Sequence, residues 1–367
     1  MPSSKNVRPN SPTRERCRPR GLANRSKSGK GVAMRSFRVQ KSGSPATMTI
    51  DDLPDLMPAD NEVIVNVDTA GVGFVDTLVV SGRYQNIPAV PFAPGMEFSG
   101  TVRAIGKGVS DASVGDRVAA YVLSGAFSEQ AAARSGEYYI VPADVPLDQA
   151  ALLCGAYLTA YFALVERGHF KRGQTVLVGG AGGAVGLAAL QIAKALGAAK
   201  VIGTYRSSAD RQAILDAGAD VAIDVSGPEG RNKQRSEVLD ATSGEGVDIV
   251  LDPIGGEFLS AALRTIAWSG RLVVIGFAAG DIPTIKVNYL LLKNIGIVGL
   301  DLSQYRYRAP ERLKTAQAEL FELWRKGLIG ARVARSFAFE DLPEALEFVA
   351  RGRTSGRASI SIGRAKA

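Results

Sequence analysis

Val176-Leu177-Val178-Gly179-Gly180-Ala181-Gly182-Gly183-Ala184-Val185-Gly186-Leu187 decides how the rest of this 367-residue chain reads. An aliphatic run ending at Val178 meets four glycines and two alanines within six residues. An amphipathic pattern starts at Val185, continues through Ala188, Ala189, Ile192 and Leu196, and stops at Gly197. Strand, tight small-residue turn and helix form the opening of a mononucleotide-binding βαβ unit. The small residues let backbone N–H groups approach a pyrophosphate, which then sits at the positive end of the helix. The spacing Gly180-x-Gly182-x-x-x-Gly186 varies G-x-G-x-x-G by one residue before the last glycine. Ordinary α/β units also close with Gly/Ala-rich turns, so the flanks must decide between the two readings. Gly182, Gly183, Ala184, Val185 and Gly186 are the candidate pyrophosphate-binding residues.

The flanks alternate strand and helix. Strands are expected at 175–179, 200–205, 220–225, 247–252, 271–276 and 295–300, with helices at 183–197, 208–217, 235–243, 256–268 and 286–293 between them. Six strands separated by helices predict an α/β fold: a doubly wound, parallel six-stranded Rossmann sheet in the order 3-2-1-4-5-6. Upstream, 37–39, 62–70, 97–105 and 116–122 are short β-like runs punctuated by Gly, Pro and Asp, as in a small irregular β domain. A helical pattern at 149–166, with Tyr157, Tyr161 and Phe162, joins the two regions. After the sixth strand come a helix at 310–326, a strand near 333–337, a helix opened by Glu340-Asp341-Leu342-Pro343 and a last strand at 358–362. These cannot extend the parallel sheet without another crossover, so they are expected to return to the β-rich domain. The expected division is a basic tail at 1–33, a β-rich catalytic domain at 34–156 and 300–367, and a nucleotide-binding domain at 157–299.

Charge and rare residues narrow the chemistry. The net +8 resides in residues 1–33, which hold nine Lys/Arg and one Glu, leaving 35 of each sign in the other 334 residues. That Ser/Pro/Asn/Gly-rich segment is expected to be disordered. A basic arm for nucleic acid, a transit peptide and sequence upstream of the true start compete for it; Met34-Arg35-Ser36-Phe37 reads as a first strand and favours Met34 as the start. No 18-residue apolar run is present, so no membrane span is expected. Two cysteines, Cys17 and Cys154, make no disulfide framework and suit a reducing, cytoplasmic location. A single histidine, His169, leaves too few ligands for a catalytic zinc site, and four-cysteine structural zinc is excluded.

Several spaced motifs then occur in order: Pro94-Gly95-Met96-Glu97-Phe98-Ser99-Gly100, Val114-Gly115-Asp116-Arg117-Val118, Tyr157-Leu158-Thr159-Ala160-Tyr161, the 176–187 turn, and Leu291-Leu292-Lys293-Asn294. From Met34 onward the chain resembles the zinc-independent quinone oxidoreductases of the medium-chain dehydrogenase/reductase superfamily. The resemblance implies that the β-rich domain is a discontinuous, GroES-like catalytic domain with the Rossmann domain inserted. It also implies a homodimer formed through the edge strand 295–300. Met96 stands where zinc alcohol dehydrogenases have a histidine ligand, and no cysteine-rich lobe follows the Gly-Asp-Arg-Val strand.

Cofactor choice is read from the end of the second strand, Gly203-Thr204-Tyr205-Arg206-Ser207-Ser208. Arg206 stands 20 positions after Gly186, where a NAD-specific unit places an acid for the ribose 2′-OH. An arginine there can hold a 2′-phosphate bidentately, with Arg211 assisting, so NADPH is expected; both could also be solvated surface arginines. Thr204 and Ser207 belong to the same candidate site. The family often has a lysine in this loop at the position that is Asp210 here. By resemblance, Thr159 contacts the nicotinamide carboxamide, and Gly276-Phe277-Ala278 lies beside the nicotinamide half. A helical hydroxyl bonded to a carbonyl and a core aromatic are the alternatives for Thr159 and Phe277.

Tyr84, in a loop that faces the cleft in this family, is the candidate proton donor or oxygen contact, with substrate packing as the alternative. Gly73 stands where the family often has asparagine. Asp76 reads better as a helix cap than as a base, and His169 as a surface charge. The expected function is NADPH-dependent, metal-independent hydride transfer to quinones or α,β-unsaturated carbonyl compounds. An enoyl-thioester (acyl-CoA) reductase is the alternative, with Arg83, Arg103 and Lys107 as scattered entrance charges. A nucleic-acid-binding or structural relative is a third reading, which the intact glycine turn and Arg206 oppose.

Overall fold

Thr175–Val178 forms the central strand of a six-stranded parallel sheet, and its alternation explains why the sheet is covered on both faces. Val176 and Val178 pack with Leu187, Leu190 and Val201 on one side. Leu177 packs with Ile202, Val250 and Leu272 on the other. Successive side chains of a strand point to opposite faces, so a continuous aliphatic run is what a doubly covered parallel strand requires. Each aliphatic side chain so buried contributes about 1.5–3 kcal/mol. The computed structural model describes residues 34–352 and 355–363. The expectations for residues 1–33 and for Cys17 lie outside them.

Strand order in this sheet is Val221–Asp224, Lys200–Tyr205, Thr175–Val178, Val247–Asp252, Ile266–Val274 and Gly296–Gly299. In chain order that is 3-2-1-4-5-6, the expected Rossmann arrangement, with its reversal point between the first and fourth strands. The β-rich domain is organised around the strand Glu62–Val72, which pairs antiparallel with Glu97–Ile105, Gln130–Arg134 and Arg357–Ser361. Val63, Val65, Val67, Phe98, Val118, Phe337 and Ile360 form its core. The last strand, Arg357–Ser361, also pairs in parallel with Val333–Ala338. The chain therefore leaves the β domain, builds the Rossmann unit, and returns to finish the first sheet. Among the described residues no helix is long and apolar enough to cross a membrane.

Three local departures from the sequence reading have physical causes. The single helix expected at 149–166 is broken into Leu147–Leu152, Gly155–Tyr161 and a π-helical turn Phe162–Arg167, because Cys154 leaves the helical region at φ −81°, ψ −94°. The break frees the Gly155 N–H, which donates to Glu97 Oε2 at 2.7 Å. The helix expected at 256–268 ends at Thr265, because Ile266 pairs with Val247 and begins the fifth strand early. That pairing leaves Trp268 76% exposed. A further helix, Leu302–Arg308, follows the sixth strand, capped by Asp301 Oδ1 accepting from the Ser303 N–H at 3.0 Å.

Candidate cofactor and substrate cleft

The glycine turn works through backbone shape. Gly180 has φ +55°, and its carbonyl accepts from the Gly183 N–H at 2.9 Å. Gly183 then caps the helix Ala184–Ala195 without any side-chain bond, and Leu187 is the first residue to donate back into the helix. The N–H groups of Ala184, Val185 and Gly186 therefore keep the free donor capacity of a helix start. A Cβ on Gly186 would lie 2.4 Å from the Gly180 carbonyl oxygen and 2.6 Å from Ala181 Cα, so only glycine lets the helix seat on the turn. Gly183 is exposed, and Ala184 and Val185 are half-buried, which leaves this donor cradle open to a diphosphate.

Around the turn, the candidate residues divide by accessibility. Thr204 is buried; its carbonyl accepts from the Ala181 N–H at 2.9 Å, tying the second strand to the turn. Arg206 and Arg211 are exposed at the strand tip and the first turn of the helix Asp210–Asp216, with the half-buried Ser207 beside them. Asp210, the nearest acid, packs its carboxyl where a Gly182 side chain would be, and Ser355 donates to it from the β domain. These residues fit a phosphorylated dinucleotide: uncapped N–H donors at the helix start, and free guanidinium groups at the second strand. Gly276, Phe277 and Ala278 follow the fifth strand, where the N–H groups of Gly276 and Ala278 donate to the Asp252 and Pro253 carbonyls at 3.3 and 3.1 Å. Phe277 is 41% exposed, so it is not a core aromatic.

Thr159 lies on the short helix Gly155–Tyr161 that joins the domains, half-buried, with its hydroxyl donating to the Gly155 carbonyl at 2.7 Å. The back-bonded alternative thus describes its proton, while its oxygen lone pairs remain available as acceptors. His169 is exposed beyond the π-helical turn. Cys154 is buried, which pushes its thiol well above the ordinary range.

The β-domain side of the cleft carries a group of charges that share little water. Asp76 caps the helix Phe74–Val80 by accepting from the Gly73 N–H at 2.8 Å, and its other oxygen has no partner. Burial pushes this carboxyl up to about 7, against the Gly73 N–H and the Arg357 charge. Glu97 forms an ion pair with Arg357, both side chains 6% exposed. Burial lowers the Arg357 guanidinium to about 10, with Asp76 opposing. Tyr84 is half-buried and packs against the β-domain core. Burial and the charges of Asp301 and Asp76 raise its phenol above the ordinary value, and Arg306 opposes them. Tyr121, raised to about 12 chiefly by burial, packs its ring against the start of the joining helix at Gly155. The Arg306 guanidinium lies 4.9 Å from the centre of that ring.

Asp76 caps its helix at Gly73, as the sequence reading preferred, and its charge reaches Tyr84. Arg306, Arg357 and Tyr121 were not singled out by sequence. Arg306 sits in Tyr305-Arg306-Tyr307-Arg308, which reads as a solvated basic stretch, and Arg357 opens a strand after a polar loop. Neither has a local pattern that marks it as buried. The one available signal was an arginine at the head of an otherwise inward-facing Ala-Ser-Ile strand.

Sequence comparison agrees with this geometry. Residues 59–186 match the alcohol dehydrogenase GroES-like domain, and residues 184–322 match the family described as zinc-binding dehydrogenase. The mouse quinone oxidoreductase-like protein 2 is 33% identical over 315 residues, covering 86% of this chain and 89% of that protein. The chain belongs to the quinone oxidoreductase family of medium-chain dehydrogenases/reductases. A mycobacterial quinone oxidoreductase structure superposes with a TM-score of 0.82 at 32% identity, covering 89% of this chain and 99% of the other. The Escherichia coli quinone oxidoreductase complexed with NADPH superposes at 0.81 with 29% identity and the same coverage. This quinone oxidoreductase family member is accordingly an oxidoreductase built from a Rossmann unit and a GroES-like domain.

Proposed function

We propose that the protein transfers hydride from NADPH to quinones or α,β-unsaturated carbonyl compounds without a metal ion. The observation that carries the reading is the pairing of an uncapped helix start at Ala184–Gly186 with the unpaired Arg206 at the tip of the second strand. Bound nicotinamide supplies the hydride; the protein supplies placement and electrostatics. The N–H groups of Ala184, Val185 and Gly186 hold the pyrophosphate. Arg206 and Arg211 face the 2′-phosphate. The Thr159 oxygen accepts from the carboxamide, and Gly276-Phe277-Ala278 borders the ring. Tyr84, kept neutral by its raised ionisation, donates a hydrogen bond to the substrate oxygen.

The use of the donors supports the metal-independent reading. Glu97 is committed to Arg357 and to the Gly155 N–H, Asp76 to the Gly73 N–H, and the residue before Glu97 is the thioether Met96. Among the described residues no three His, Cys, Asp or Glu side chains are grouped to hold a metal ion. A conjugated acceptor suits such a site because its own electrons take up the hydride, whereas an alcohol would need a Lewis acid. Of the entrance charges that a CoA thioester would use, Arg103 is paired with Asp55 at 2.5 Å, which favours the quinone and enone reading. A cytoplasmic homodimer completes the proposal, with the edge strand Gly296–Gly299 as the meeting surface; Leu291 and Leu292 beside it are 79% and 73% exposed.

The deciding experiment is a steady-state panel of 1,4-benzoquinone, 9,10-phenanthrenequinone, a simple enone and crotonyl-CoA with NADPH. A quinone or the enone should give the highest kcat/KM. Crotonyl-CoA turned over ten times better than the others would replace this reading with the enoyl-thioester one.

A further inference from the structure

Arg306 is a buried cation beside Tyr84 that hydride transfer as proposed leaves unused. Its side chain is buried, at 4% exposure. Nη1 donates to the Tyr121 carbonyl at a long 3.5 Å, and Nε is buried with no partner. The guanidinium lies over the Tyr121 ring at 4.9 Å and near the Tyr307 ring at 5.8 Å. Arginine stacks well on aromatic faces, but stacking does not neutralise it. None of the ion pairs among the described residues includes Arg306. Three carboxylates have fields that reach the same groups, Asp301, Glu137 and Asp76, and none of them forms an ion pair with Arg306; Asp76 accepts from the Gly73 N–H instead. Asp301 Oδ1 takes the Ser303 N–H and hydroxyl at 3.0 and 2.6 Å, and Glu137 Oε2 takes the Arg134 N–H at 3.1 Å. The remaining titratable groups that share its field are the phenols Tyr84, Tyr121 and Tyr139.

A buried cation that no carboxylate touches is costly, and an anionic ligand atom placed against it would supply the contact it lacks. Position says which ligand. Arg306 is carried by the helix Leu302–Arg308, directly after the sixth Rossmann strand, and reaches across to Tyr121 of the β domain. Tyr121 in turn abuts Gly155, the first residue of the helix that carries Thr159. The cation therefore stands at the seam between the cofactor-binding unit and the Tyr84 side of the cleft.

We propose that Arg306 is the oxyanion-receiving group of this cleft. The inference rests on the proposed conjugated-carbonyl substrate. Hydride forms a new C–H bond at the conjugated carbon of the acceptor. The π pair of the double bond shifts, and the carbonyl π pair moves onto oxygen. The oxygen, now negative, is held by the Arg306 guanidinium while a proton from Tyr84 or water completes the neutral product. A preorganised donor aimed at developing charge in a dry site accelerates such a step by about 10²–10³.

The test uses 4-nitrophenol, a stable phenol whose anion absorbs in the visible, titrated on the full-length protein saturated with NADP+. Wild type should ionise bound 4-nitrophenol about one pH unit lower than free 4-nitrophenol. Arg306→Met should abolish the shift, and Arg306→Lys should retain part of it. The Tyr84→Phe protein should keep the shift. Arg306→Met should also lower kcat/KM for 1,4-benzoquinone about 100-fold, a typical loss for an oxyanion donor, with the NADPH Kd unchanged by nucleotide fluorescence. Absence of a shift in wild type, or an equal shift in Arg306→Met of native-like thermal stability, overturns the proposal. A shift lost in Arg306→Met while none of the quinones or enones is reduced keeps Arg306 as an oxyanion site and removes the substrate reading instead.

Discussion

Arg357, at the head of the last strand, forms a buried ion pair with Glu97 of the strand Glu62–Val72's neighbour, and Glu97 in turn accepts from the Gly155 N–H. One carboxylate thus ties the returning end of the chain to the start of the helix that joins the domains. Gly71 makes room for it: a Cβ there would lie 2.2 Å from Glu97 Oε1.

Removing one partner of this pair leaves a buried charge, which costs about 3–5 kcal/mol. Glu97→Gln should therefore lower the unfolding free energy by that amount, measured by urea denaturation. Glu97→Gln/Arg357→Met should recover most of it, because the double variant buries no charge. A double variant no more stable than the single one would contradict this account.

Asp76 gives stability a pH dependence of defined sign. Its carboxyl is raised from 3.8 to about 7 in the fold, so the folded state binds its proton more tightly than the unfolded chain does. The contribution is complete below about pH 4 and is lost as pH rises towards 7. At 1.36 kcal/mol per unit, the loss is roughly 4 kcal/mol. Asp76→Asn should flatten the stability profile between these limits, which urea midpoints at a series of pH values would reveal.

Arg206 should set the nucleotide preference. A charge-assisted bidentate contact to a 2′-phosphate is worth about 1.5–3 kcal/mol. The ratio of kcat/KM for NADPH over NADH should accordingly fall at least tenfold in Arg206→Ala, chiefly through the NADPH term. An unchanged ratio would return Arg206 to the solvated surface.

Tyr84 acts as a neutral phenol if it is the donor. Because its ionisation is raised, kcat for an enone should show no break attributable to Tyr84 below about pH 10, the ordinary tyrosine range. Tyr84→Phe should reduce that kcat at least fivefold while leaving the NADPH Kd intact. A kcat within a factor of two of wild type would assign Tyr84 to packing alone.

The parallel sheet and its order were legible because their signals are local. Val176 to Val178 is apolar on both faces, the turn is built of residues without bulk, and each strand is followed by a helical period. The shape of the glycine turn was legible for the same reason: Gly186 seats the helix against Gly180 and Ala181, its neighbours in a single βαβ unit. The joining segment misled in one respect, since nothing in 149–166 marks Cys154 as the place where the helix breaks; the break is fixed by Glu97, far away in the chain, accepting from Gly155. The early end of the helix at Thr265 is likewise decided by Ile266 finding Val247 across the sheet.

By itself, then, the chain's order of residues determined the Rossmann unit, the glycine cradle and the family, because hydrophobic period and turn chemistry are properties of neighbours in sequence. Only the tertiary structure decided the charge balance of the cleft. Whether Arg357 is paired, the Asp76 carboxyl raised or Arg306 left outside any ion pair depends on which distant groups surround it and exclude water. Burial, unlike periodicity, is set by the whole fold.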